Sequence, residues 1–93
     1  MTHASAVYTH HFGPVPEGYH IHHKNGQHTT IEDDRPENLI AVPAIWNARV
    51  FPTLAMGFNV PEAVVTTAYM KVIERVPEEH VFRALCEELS WVA

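Results

Sequence analysis

Cysteine and long apolar runs are scarce in this sequence. Cys86 is the only cysteine among the 93 residues, so no disulfide can form within the chain and an oxidising compartment is not required. No apolar stretch approaches the length that crosses a bilayer, and no segment has the pattern of a signal peptide. We therefore expect a soluble protein without a membrane partner, in a reducing cytoplasm.

Positive charge is also scarce. Six lysines and arginines stand against eleven aspartates and glutamates, which gives a formal net charge of −5. A protein that grips nucleic acid through a broad basic surface has the opposite balance. Any contact with nucleic acid would therefore have to be local, through a bound cation and a few basic groups.

Histidines are concentrated in the first half of the chain. Seven of the eight occur at or before His28, and only His80 lies beyond it. Residues 7–12 suit a strand, residues 13–18 a turn, and residues 19–23 a returning strand. Pairing across that turn brings His11 near His20, which leaves open a second histidine cluster or, alternatively, ordinary solvated strand residues.

The remainder of the first half is predicted to return to the core and end in a short helix. Asn25-Gly26 marks a turn, and the polar residues 27–36 form a loop. Three apolar residues then re-enter the core: Leu39, Ile40 and Val42. Residues 43–50 suit a short helix with Pro43 in its first turn, and Pro52 limits its length.

The second half is predicted to be a helical hairpin. An apolar face recurs at helical spacing in Val64, Val65, Ala68, Tyr69, Val72, Ile73 and Val76. Asn59 can cap this helix together with Glu62, and a new helix begins at Pro77. The buried stripe of the last helix comprises Val81, Phe82, Leu85, Leu89 and Val92.

Three short motifs and one asparagine follow one another between residues 16 and 47. They are Pro16-Glu17-Gly18-Tyr19, Ile21-His22-His23-Lys24-Asn25-Gly26, Arg35-Pro36-Glu37-Asn38-Leu39 and Asn47. Their order and spacing resemble the HNH endonuclease family, in the form found in bacteriophage homing and nicking enzymes. The resemblance implies an α+β fold with a small ββα-metal core over residues 1–52. Residues 53–93 would be a C-terminal helical hairpin packed on that core or on a partner.

The resemblance also implies roles for individual residues. His23 is similar to the general base that takes a proton from the attacking water, and His22 occupies the neighbouring metal-ligand position. Asn38 corresponds to the residue that ties the loop to the hairpin and helps orient the base. Asn47 corresponds to the last metal ligand, which makes the motif His-Asn-Asn.

The chemistry of phosphodiester hydrolysis explains these residue types. An imidazole titrates near pH 6.5, roughly the working pH, and can accept a water proton. One divalent metal held by His22 and Asn47 would stabilise negative charge on the phosphate. Related enzymes often carry aspartate at the position of His22, and imidazole shifts the expected metal from magnesium toward manganese, nickel or zinc. With few protein ligands, we expect weak metal binding without DNA.

Simpler interpretations remain open for most of these residues. His22 and His23 can be hydrogen-bonded surface imidazoles. A strand that ends at His22 would let both rings reach one phosphate, whereas a regular strand through His23 would point the two rings to opposite faces and count against the mechanism. Asn38 can brace a turn, and Asn47 can bond to the backbone or to water.

Three basic residues are candidates for DNA contact. They are Lys24, Arg35 and Arg49. Arg35 can instead hold the acidic loop through Asp33 or Asp34.

Three functions are compatible with the sequence. The first is a metal-dependent DNA endonuclease or nickase in a bacterial cell or a phage-infected host. The second is an HNH-like protein, weakly active or inactive, that binds and regulates another protein through its acidic C-terminal helices. These helices could also pair two copies of the chain. The third is a structural zinc module, although the chain lacks the paired cysteines typical of such sites.

Overall fold

A computed structural model describes residues 2–92. A two-stranded antiparallel sheet, β1 (Tyr19–His23) and β2 (Leu39–Pro43), lies beside four α-helices. The helices are α1 (His3–Phe12), α2 (Phe51–Phe58), α3 (Glu62–Ile73) and α4 (Val81–Val92). The predicted α+β class, with a ββα arrangement followed by C-terminal helices, is confirmed.

The predicted strand over residues 7–12 is wrong, because these residues belong to α1. Thr2 caps this helix by accepting a hydrogen bond from the backbone N–H of Ser5, at 3.1 Å. Residues 13–18 therefore join a helix to β1, and no sheet brings His11 beside His20. The partner of β1 is β2, in a register that pairs His22 with Ile40.

The connection between the strands is compact. A turn closes at Asn25-Gly26, as predicted, with the N–H of Gly26 bonded to the carbonyl of His23 at 2.9 Å. Two 3₁₀ turns, Ile31–Asp34 and Pro36–Asn38, then lead into β2. The predicted return of Leu39 and Val42 to the core is confirmed, since both are buried.

The helix after β2 is longer than predicted. Pro43 is the last residue of β2, and a π-helical turn, Trp46–Val50, continues directly into α2. In this wide turn the N–H of Phe51 bonds to the carbonyl of Trp46. Pro52 was expected to end the helix, but the altered hydrogen-bond spacing just before it tolerates a residue that has no N–H.

The C-terminal helices are confirmed, with changes at their ends. Asn59 does not cap α3. It ends α2 in the left-handed conformation, at φ 56°. A 3₁₀ turn after Pro77 precedes α4, as the proline predicted. The stripe of α4 is narrower than predicted, because Phe82 and Val92 are about half exposed.

One hydrophobic core joins the sheet to the helices. Its largest fully buried apolar side chains are Phe51, Leu85, Leu89, Val42, Val65 and Val72. Each such side chain contributes roughly 1.5–3 kcal/mol of burial free energy. The division of the chain at residue 52 stays a prediction, but the core takes residues from both sides of it. No helix in the described part is both long and apolar enough to span a membrane.

Candidate active site

A cleft of about 350 Å³ lies at the junction of β1, the π-helical turn and α3. Its lining residues are Ile21, His22, His23, Gly26, His28, Asn47, Pro52 and Glu62. Three of the four residues predicted for catalysis and metal binding therefore border one cavity. The fourth, Asn38, lies behind it in the connection between the strands.

His22 is a buried residue, which excludes a surface role for it. Only 3% of its surface is exposed, and its ring packs 4.6 Å from that of Phe51. Nδ1 lies 3.0 Å from Oδ1 of Asn47, and Nε2 lies 2.7 Å from Oγ1 of Thr66. Burial lowers the pKa of His22, and this outweighs the opposing effects of Asn47 and Glu62.

Asn47 reaches the cleft from the π-helical turn. π-turns widen a helix locally and are frequent at functional sites. Its side-chain oxygen lies beside Nδ1 of His22, and these two residues are the metal ligands predicted from the sequence. Oε1 of Glu62, in the first turn of α3, lies 3.9 Å from the same Nδ1.

His23 faces the connection between the strands. Its Nε2 lies 2.7 Å from Oδ1 of Asp34, and the other oxygen of Asp34 lies 2.7 Å from Nδ1 of His3. Asp34 thus links the end of β1 to α1. Hydrogen bonds from His23 and then from His3 lower the pKa of Asp34.

The strand does run through His23, and the two imidazoles bond to different partners. His23 is, however, the last residue of β1, and the turn at Asn25-Gly26 begins directly after it. Both side chains consequently line the same cleft. The regular strand through His23, which pairs with Leu39, counts against a shared site, whereas the common cleft lining supports one.

Asn38 ties the connection to the sheet. It is buried, its Nδ2 donates to the carbonyl of Asp33 at 2.6 Å, and its Oδ1 accepts from the N–H of Asn25 at 3.0 Å. Its Nδ2 also lies 3.1 Å from Oδ1 of Asn25. These bonds fix the turn that directly follows His23.

Asp33 organises the same connection. Its carboxylate accepts hydrogen bonds from the N–H groups of Thr29 and Thr30 and from Nδ2 of Asn25. The bond from Thr30, followed by that from Asn25, lowers the pKa of Asp33. The acidic loop is thus held by its own backbone N–H groups and by the side chain of Asn25.

The three basic candidates lie outside the cleft lining. Arg35 donates to the carbonyl of Glu32 at 3.0 Å and lies 3.6 Å from the carboxylate of Glu37, so its local partners differ from the Asp33 or Asp34 suggested by the sequence. Arg49 borders a separate apolar groove with Phe82. Lys24 follows His23 directly and is only partly buried.

Two contributors to the site were missed from the sequence. Glu62 was interpreted only as a capping residue, and Thr66 was not considered. Both belong to α3, 40 and 44 positions after His22, and no local spacing connects them to the motif. Across residues 2–92, no three histidine, cysteine, aspartate or glutamate side chains meet in a group that suits a metal ion.

Comparison with known proteins finds one family that resembles the first half of the chain. The model of the HNH endonuclease family matches residues 5–49, a segment that contains His22, His23, Asn38 and Asn47. No curated protein and no solved structure matches the chain. Residues 5–49 are therefore similar to the HNH endonuclease family.

Proposed function

We propose that this chain is a metal-dependent DNA endonuclease or nickase that uses His23 as general base. The observation that carries the proposal is the convergence of His22 Nδ1 and Asn47 Oδ1, 3.0 Å apart, in a cleft that His23 also lines. The family match indicates nuclease activity. The bacteriophage type of the family and the His-Asn-Asn form of the motif are parts of the proposal.

The residues present suit one divalent metal. His22 offers an imidazole nitrogen and Asn47 an amide oxygen, and this mixed pair favours manganese, nickel or zinc over magnesium. When bound, such a cation would neutralise charge on the phosphate and stabilise the departing oxygen. The side chains of Phe51 and Thr66 hold the His22 ring in place for this role.

His23 is suited to accept a proton because Asp34 fixes its ring. With Nε2–H donating to Asp34, the ring atom left to take the water proton is Nδ1. Asn38 supports the base indirectly, since it holds the turn that begins after His23. Lys24, which follows His23, is the basic residue best placed to contact a neighbouring phosphate, while Arg35 and Arg49 would contact DNA further away.

We place the enzyme in the cytoplasm of a bacterial cell or a phage-infected host. The C-terminal helices would pack against the core and offer an acidic surface to a protein partner or to a second copy.

Cleavage of supercoiled plasmid tests the proposal. The chain is incubated with magnesium, manganese, nickel or zinc, or with EDTA, and conversion to nicked and linear DNA is followed. We expect cleavage that EDTA and Asn47→Ala abolish, whereas Asn59→Gly, which removes an amide outside the cleft, retains it. Folded protein that cleaves with none of these metals would contradict the proposal and favour the regulatory binding protein.

A further inference from the structure

Glu62 extends the candidate metal site beyond the matched segment. Its Oε1 lies 3.9 Å from Nδ1 of His22, and its side chain lines the cleft with Asn47. We propose that Glu62 is a third protein ligand of the metal, supplied by α3. This inference rests on the proposed function, and it assigns a role to a residue 13 positions beyond residue 49, where the family match ends.

The observed distances suit a shared cation. For metal bonds of about 2.1 Å, neighbouring ligands of an octahedral ion lie about 3.0 Å apart and opposite ligands about 4.2 Å apart. His22 Nδ1 and Asn47 Oδ1 are 3.0 Å apart, which is the distance for neighbours. The 3.9 Å from Nδ1 to Glu62 lies between the two values. A shift of about 0.9 Å toward Nδ1 would place the carboxylate at the distance for neighbouring ligands.

Hydrogen bonding around His22 allows Nδ1 to act as a ligand. Oγ1 of Thr66 lies 3.1 Å from the carbonyl of Glu62, to which it can donate its single hydrogen. The same oxygen then accepts the Nε2–H of His22, at 2.7 Å. In this arrangement the lone pairs of Nδ1 and of Asn47 Oδ1 face each other. A cation between them relieves that repulsion, and the carboxylate of Glu62 adds charge on the same side.

The surroundings leave the carboxylate available. Within residues 2–92, the only ion pair of Glu62 is the one with His22, and about 31% of its side chain is exposed. Gly26 provides the space above it, because a Cβ at this position would lie 3.4 Å from Cβ of Glu62. The Asn25-Gly26 turn after β1 thus leaves the first turn of α3 open to the cleft.

Manganese binding, measured as loss of free Mn²⁺ by electron paramagnetic resonance, tests this role independently of cleavage. We compare the untagged chain with Glu62→Gln, Glu62→Asp and Asn47→Ala. Glu74→Gln, a change of equal charge at the other end of α3, is the control. Unfolding temperatures without metal establish that each variant is folded.

We expect Glu62→Gln to weaken Mn²⁺ binding by about tenfold or more, in line with the losses that follow removal of groups around a metal. Glu62→Asp should retain part of the affinity, and Glu74→Gln should match the unaltered chain. Affinity that is lost in Asn47→Ala but unchanged in Glu62→Gln would overturn the role of Glu62 alone. Binding that depends on neither residue would overturn the metal site of the proposed function as well.

Discussion

Asp34 joins two histidines that lie 20 residues apart in the chain, His3 and His23, through oxygen-to-nitrogen distances of 2.7 Å on each side. The contact with His23 orients a ring at the cleft, whereas the contact with His3 fastens α1 to the loop. The two contacts can be separated experimentally because they involve different oxygens of one carboxylate.

Asp34→Asn is expected to slow DNA cleavage by roughly 10–100-fold, because an amide orients the His23 ring less strongly than a carboxylate. His3→Ala removes the other contact, whose histidine is about half exposed. That variant should lose less than about 1 kcal/mol of stability and keep its cleavage rate. Single-turnover rates of both variants are the measurement, and equal rates would mean that Asp34 acts only in folding.

Thr66→Val should destabilise the fold and weaken metal binding together. The substitution leaves Nε2 of the buried His22 without its partner, which costs about 1–3 kcal/mol. Thr66→Ser keeps the hydroxyl and should restore metal affinity. Urea unfolding and Mn²⁺ titration measure the two effects. Unaltered Mn²⁺ affinity in a folded Thr66→Val chain would show that Thr66 does not support the metal site.

Asn38→Ala is expected to lower the free energy of unfolding by about 1–3 kcal/mol, since it leaves the buried carbonyl of Asp33 and the partly buried N–H of Asn25 without this partner. Asn59→Gly serves as the comparison, because glycine adopts the left-handed conformation at that helix end without strain. Hydrogen exchange of the Asn25 amide should accelerate in Asn38→Ala only. Unchanged protection would show that the turn after His23 holds without this asparagine.

Acid should loosen the connection between the strands through Asp33. Its pKa lies below the ordinary value of 3.8, so its contribution to stability is complete above pH 3.8 and is lost as pH falls through the lower, folded pKa. Asp33→Asn should be less stable near neutral pH and should lose less stability on acidification below pH 3.8. Unfolding measured at a series of pH values tests this, and parallel curves for the two chains would contradict it.

Much of the fold could be predicted because it is encoded locally. Strand β1, the Asn25-Gly26 turn and the two long C-terminal helices follow from residue type and from periodicity. Helix α1 was mistaken for a strand because its Val7-Tyr8-Thr9 segment has high β propensity, and its Asp34 contact comes from 31 residues away. Pro52 was wrongly expected to end the helix for a similar reason. The helix accommodates this proline because a π-turn precedes it, and no residue pattern predicts that turn.

The candidate site divides in the same way. The motif brought His22, His23 and Asn47 to attention because their spacing is that of a family. Glu62 and Thr66 lie on a helix whose apolar face satisfies the pattern of an ordinary core element, so only the packing of α3 against β1 and the π-turn places them beside His22. Their part in the site could be found only from contacts in the three-dimensional structure.

The role of His23 as general base is tested most directly by single-turnover cleavage of supercoiled plasmid by the unaltered chain and by His23→Ala, at saturating manganese. We predict that His23→Ala slows cleavage by about 10²–10⁴-fold, the usual contribution of a general base, while the variant stays folded and still binds Mn²⁺. Cleavage by His23→Ala at the rate of the unaltered chain would contradict the account.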